Sequence, residues 1–120
     1  MSVTFYHYKG CSSSRKARKW LDERGVEYEA VDLVETPPSA EVLRDLWQRS
    51  GQPLRKFFNT SGQSYRQGGF KDRLKTLSDD EALAALAADG KLVKRPLLDG
   101  GAWVLIGFKP AQYEERLGGA

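Results

Sequence analysis

Val3-Thr4-Phe5-Tyr6-His7-Tyr8-Lys9-Gly10-Cys11-Ser12-Ser13-Ser14-Arg15-Lys16-Ala17-Arg18-Lys19-Trp20-Leu21 changes its hydrophobic period once along its length. Val3 to Tyr8 is rich in β-branched and aromatic residues and stops at Lys9-Gly10, which reads as a first strand. From Ser14 to Arg24, Ala17, Trp20 and Leu21 fall at helical spacing, cations fill the other faces, and Gly25 stands where a helix ends. Val26 to Leu33 alternates well enough for a second strand. The opening third is therefore a βαβ unit with a parallel strand pair.

Beyond it, Pro37-Pro38-Ser39 breaks the chain, and Ser39 is placed to cap a helix burying Leu43, Leu46 and Trp47 and ending near Gly51. Pro53 opens a short turn with Leu54, Phe57 and Phe58. Asn59 to Gly69 has almost no apolar content and reads as a long loop. Ser78-Asp79-Asp80-Glu81 is a capping box ahead of Leu83, Leu86 and Ala87, with Gly90 at the far end. Leu92 to Leu98 and Trp103 to Phe108 read as two strands joined by a hairpin turn at Asp99-Gly100-Gly101. A helix from Pro110 to Leu117 closes the chain. The order βαβ, helices, ββα predicts an α/β fold: a four-stranded mixed sheet of thioredoxin-like type. The expectation is one domain over residues 1–120, with a helical segment inserted at about 39–89.

Composition narrows the chemistry. The chain has 120 residues, 40% of them hydrophobic and 29% charged, which suits one ordinary globular domain. One cysteine cannot form an internal disulfide, and one histidine leaves a Cys/His zinc site short of ligands, so no metal is expected. The start Met1-Ser2-Val3 opens no signal peptide and no apolar run reaches a membrane span, so a soluble cytoplasmic protein without membrane contact is expected. Nineteen Lys and Arg against 16 Asp and Glu is a mild excess. Acids interleave with the cations along each helix, which argues against direct nucleic-acid binding. The cluster Arg15-Lys16-Ala17-Arg18-Lys19 reads most simply as a solvated helix face.

Cys11 sits between a strand end and a helix start and is followed by Ser12, Ser13 and Ser14. Free N–H groups and the helix dipole favour a thiolate there. An ordinary thiol with a pKa near 8.5 is about 3% ionised at pH 7, and about 90% ionisation needs a pKa near 6, worth about 3.4 kcal/mol. A helix terminus supplies ~0.3–1 kcal/mol and at best ~2, so a fixed cation is needed as well. Arg15 lies four residues on, and Arg95 precedes Pro96 at the start of the third strand. In a thioredoxin-like arrangement that proline usually follows a cis bond and faces the cysteine; the simpler alternative is an ordinary proline at a strand start. His7 is a candidate to hydrogen-bond the loop or assist protonation, with a packed polar residue as the alternative. Cys11-Ser12-Ser13-Ser14 is Cys-x-x-Ser, so an adduct on Cys11 must be resolved by an outside thiol.

The chain resembles the arsenate reductase (ArsC), Spx and YffB family of thioredoxin-like proteins, and most closely the small members of its Spx/MgsR branch. The likeness spans nearly the whole length. It rests on Tyr6-His7 through Ala17, on Thr36-Pro37-Pro38-Ser39, on Lys56 to Gly62, on Lys94-Arg95-Pro96-Leu97 and on Gly107-Phe108-Lys109. The resemblance implies a thiol-dependent oxidoreductase with Cys11 as nucleophile, aided by Arg95 and Ser14. His7, Ser12, Ser13, Arg15 and Pro96 would border its site. No tightly bound cofactor is implied, and glutathione, glutaredoxin or thioredoxin would be the co-substrate. Arsenate reductases of this group hold the oxyanion with three arginines, of which Arg95 alone matches. The second falls at or beside Asn59 and the third at Lys109, which lacks the planar fork, and this counts against arsenate reduction. Arg66 is a candidate stand-in, although a solvated loop residue is the simpler reading. The Spx branch implies the alternative of a regulatory module that binds the RNA polymerase α subunit, but the Cys-x-x-Cys switch of its disulfide sensors is missing here.

Overall fold

A computed structural model describes residues 3–118; Met1 and Ser2, part of the stretch read for a signal peptide, lie outside the described residues. Strand β1 (Val3–His7) lies second in a four-stranded sheet. It pairs in parallel with β2 (Tyr28–Asp32) and antiparallel with β3 (Leu97–Asp99), which pairs antiparallel with β4 (Val104–Ile106). Helix α1 (Ser12–Glu23) makes the crossover between β1 and β2. Between β2 and β3 run α2 (Ala40–Ser50), the short helices α3 (Gln63–Gln67) and α4 (Phe70–Arg73), and α5 (Asp79–Ala88). After β4 come α6 (Pro110–Tyr113) and a wider helical turn, Glu114–Gly118. The predicted mixed sheet is thus the observed one.

Alternate residues of β1 point to opposite faces, and both faces are covered. Val3 and Phe5 join Ala17, Trp20 and Leu21 of α1, Leu98 and Tyr113. Tyr6 joins Leu97, Val104 and the apolar faces of α2 and α5, carried by Leu43, Leu46, Leu83 and Leu86. Each fully buried Leu or Phe contributes roughly 1.5–3 kcal/mol, and the two clusters fix β1 between them. Cys11 lies four residues beyond the end of this buried strand.

Several elements differ from their predicted bounds; β2, for one, is Tyr28–Asp32 where the sequence predicts Val26 to Leu33. The expected strand from Leu92 to Leu98 is only Leu97–Asp99, preceded by a 3-10 turn at Gly90–Leu92. Pro96 has no N–H to give a ladder, and the segment before it pairs elsewhere: Lys94 N donates to Phe57 O at 2.7 Å and Asn59 N to Leu92 O at 2.8 Å. The strand expected over Trp103 to Phe108 shrinks to Val104–Ile106, ended by Gly107 at φ 76°. The stretch read as an open loop contains α3, and α4 follows it, because Tyr65 and Phe70 pack against Phe58 and against each other. Helix α1 starts two residues before the predicted Ser14, with Cys11 as its N-cap.

Candidate active site at the first turn of α1

Cys11 has extended backbone (φ −96°, ψ 124°) while the next residue is already helical. Its N–H donates to Tyr8 O at 3.0 Å and its carbonyl accepts from Arg15 N at 3.1 Å, which fixes a tight turn between β1 and α1. The usual N-cap side chain is an oxygen that takes up the amide donors of the first turn. Cys11 makes no such capping bond, so these donors remain free to serve a thiolate.

The thiol is half-buried, and that burial works against its charged form. Four groups oppose it: the N–H of Ser14, the Ser14 hydroxyl, the Arg95 side chain and the N–H of Ser13. Together they outweigh burial and hold the pKa of Cys11 below its ordinary value. Ser14 is buried and its oxygen also accepts from Tyr8 N at 3.2 Å, which orients the hydroxyl.

Arg95 is held on two sides. Its guanidinium lies 4.8 Å from the centroid of the Tyr8 ring, and Nη1 donates to Lys91 O at 2.9 Å. Among the described residues its buried Nε has no hydrogen-bond partner. The Arg95–Pro96 bond is cis. Arg15, the other cation suggested by spacing, is exposed and donates to Lys9 O at 3.5 Å. The clamp of Tyr8 and the Lys91 carbonyl escaped the sequence reading; an aromatic side chain one residue past β1 was its only local sign.

The remaining candidates are scattered. His7 is buried, stacked on Phe5 at 5.5 Å, and lines a shallow depression with Arg18, Val31 and Asp32 that does not include Cys11. Burial, then the Arg18 charge, lowers its pKa against the opposing pull of Asp32, so it is neutral at pH 7. Ser12 is exposed on the first turn. Asn59 turns its side-chain oxygen to Ser61 Oγ at 3.4 Å. Arg66 is exposed on α3, and Lys109 is exposed at the N-cap of α6. Among the described residues no three His, Cys, Asp or Glu side chains are grouped to hold a metal ion, and no helix is long and apolar enough to cross a membrane.

A thioredoxin-like sheet with a single cysteine at the N-cap of its first helix, beside an arginine from the start of the third strand, defines a class of monothiol α/β proteins. Within it, this chain belongs to the ArsC family, whose sequence model matches residues 6–116. It is 50% identical over 116 residues to the Bacillus subtilis protein YusI, covering 97% of this chain and 98% of that one. The ArsC family related protein from Bacteroides fragilis superposes with a TM-score of 0.92 at 43% identity, covering 96% and 97% of the two chains. An arsenate reductase from Vibrio cholerae superposes with a TM-score of 0.87 at 33% identity, covering 98% of each.

Proposed function

We propose that this protein is a thiol-dependent reductase in which Cys11 is the nucleophile and an external thiol is the reductant. The observation that carries this is the convergence of the Ser14 N–H, the Ser14 hydroxyl and Arg95 on one sulfur whose pKa is lowered despite burial. The arsenate reductase named above, similar over its full length, supports the same reading.

The thiolate attacks one sulfur of a substrate disulfide, such as a glutathione adduct on a protein. A bond forms between Cys11 Sγ and the glutathione sulfur, the original S–S bond breaks, and the protein sulfur leaves as a thiolate that takes a proton from solvent. A second thiol, glutathione or a redoxin, then attacks the mixed disulfide and displaces Cys11 as a thiolate. Substrate sulfur is reduced, the incoming thiol is oxidised, and Cys11 is restored. Arg95 stabilises the sulfur anion at both steps. Glutathione suits the site better than arsenate, since Arg95 is the one arginine matched to the three of an arsenate site.

Iodoacetamide alkylation against pH tests this. The wild type is expected to react with a midpoint below the ordinary ~8.5, and Arg95→Ala and Ser14→Ala to react roughly tenfold more slowly at pH 7, the equivalent of one charge-assisted hydrogen bond. A wild-type midpoint at 8.5, or an oxidised-glutathione adduct that reduced glutathione does not remove, overturns the reading.

A further inference from the structure

The sheet has one edge that nothing in the thiol chemistry uses. Gly100 N donates to Trp103 O at 2.9 Å and Gly107 N to Pro96 O at 2.8 Å, with Leu98 opposite Leu105 between them. In an antiparallel ladder the inward-facing residues alternate, so Trp103, Leu105 and Gly107 turn their main-chain groups to β3. The N–H and C=O groups of Val104 and Ile106 therefore face away from the sheet.

Beside this edge, where the Val104 side chain is buried and Ile106 is half-buried, runs a groove of about 1100 Å³, larger than the usual site for a small molecule, with β4 and α6 on one side and the end of α2, α3 and α4 on the other. The groove is lined by eight Lys and Arg residues against one carboxylate, Glu115. Arg49 is paired with Asp45 and Asp99, and Lys75 with Asp72. Arg55, Lys56, Lys71, Lys94, Lys109 and Arg116 remain, a concentration far above the net +3 of the chain.

We propose that this groove docks an extended acidic peptide segment of a partner protein, added as a strand beside β4. Only a peptide meets both features. Its main chain supplies donors and acceptors in the alternation that Val104 and Ile106 present, and its carboxylates meet the cations. A nucleic acid backbone offers acceptors for the N–H groups and the cations but no donors for the carbonyls. A second copy of this chain would bring one set of cations against another, which opposes pairing of β4 with β4. The proposal does not rest on the thiol chemistry, because Cys11 is not part of the groove.

The test uses acetyl-Glu-Val-Glu-Val-Glu-Val-Glu-Val-amide and nitrogen-15-labelled protein at low salt. Saturation is expected to slow hydrogen exchange at the amides of Val104 and Ile106 about tenfold or more, with the amides of the other edge strand, β2, unchanged. The double variant Lys56→Glu, Lys71→Glu is expected to bind the peptide at least about tenfold more weakly, roughly 1.4 kcal/mol, while Cys11 alkylation stays at the wild-type rate. The proposal is overturned by unchanged exchange at Val104 and Ile106, or by equal binding of the lysine counterpart of the peptide. It falls equally if oligothymidylate protects the same two amides, or if sedimentation shows a dimer that protects them without peptide.

Discussion

One hydroxyl joins two elements at Ser14. Its oxygen takes the Tyr8 N–H at the end of the strand, and its proton turns to the sulfur of Cys11, so the same group closes the turn and supports the anion. A second cysteine there would replace this donor with a resolving thiol, which is the chemical difference between Cys-x-x-Ser and Cys-x-x-Cys. Four residues upstream of Cys11, His7 is neutral for a different reason. Burial and Arg18 disfavour its charged form, while Asp32 favours it less strongly; Lys9 and Glu35 act with opposite signs at longer range. The unfolded chain binds a proton near pH 6.5, and the folded chain resists it. Stability is therefore fully present above about pH 6.5 and falls as the pH drops below that value, because the unfolded state then holds more protons. His7→Phe is expected to flatten the stability profile between pH 7 and 5, measured by urea unfolding. A slope equal to that of the wild type would show that the imidazole titrates freely in the native state.

At the scale of elements, the ties that hold the helical segment to the sheet are few and specific. Ser39 and Ser78 each cap a helix, Ser39 Oγ accepting from Val42 N at 3.2 Å and Ser78 Oγ from Glu81 N at 3.1 Å, with Glu81 returning the bond to Ser78 N at 3.0 Å. Arg49 at the end of α2 reaches both oxygens of Asp99 on β3 and also Gly101 O at 2.8 Å. That guanidinium holds the Asp99 carboxyl below the usual carboxylate range, against the effect of its burial. Asp99→Asn is expected to lower stability at pH 7 by about 1–2 kcal/mol, since the pair is only partly shielded from water, and to remove part of the acid destabilisation seen as the pH falls below about 3.9. Ser78→Ala is expected to cost about 1 kcal/mol with no such pH signature. Urea titrations at pH 7 and pH 3 separate the two. The caps were legible in the sequence because a cap is a local pattern, four residues long, and so was Cys11 between a strand and a helix. The Arg49–Asp99 tie was not, because it joins residues fifty positions apart whose partnership no spacing announces. The same holds for α3 and α4, whose apolar anchor is Phe58 beneath them, and for the strand before Pro96, which loses its outer half to pairing with Phe57 to Asn59.

For the molecule as a whole, the crossing of the helical segment over the sheet passes through Gly90. A Cβ there would lie 1.8 Å from Leu33 O and 2.6 Å from its carbonyl carbon, both main-chain atoms just past β2. The residues that follow carry the thiol site: the Lys91 carbonyl holds Arg95, Leu92 O takes the Asn59 N–H, and Lys94 N donates to Phe57 O. Since Leu33 is anchored in the core and its N–H donates to His7 O at 2.9 Å, the strain of a methyl group falls on the Gly90 side. Gly90→Ala is expected to destabilise the fold by about 1–3 kcal/mol, roughly 4 °C in Tm for each kcal/mol at this chain length. It is also expected to raise the midpoint of Cys11 alkylation, because Arg95 loses the carbonyl that aims it. Gly25→Ala supplies the comparison. It sits at φ 65° with open space around its Cβ position, so it costs about 1 kcal/mol of backbone strain far from Arg95 and should leave the alkylation midpoint where it is. If Gly90→Ala lowers Tm and yet the midpoint stays at the wild-type value, the close approach at Gly90 serves stability alone. If the midpoint rises in that variant and not in Gly25→Ala, one main-chain contact just past β2 sets the charge of the sulfur beyond the end of the neighbouring strand β1.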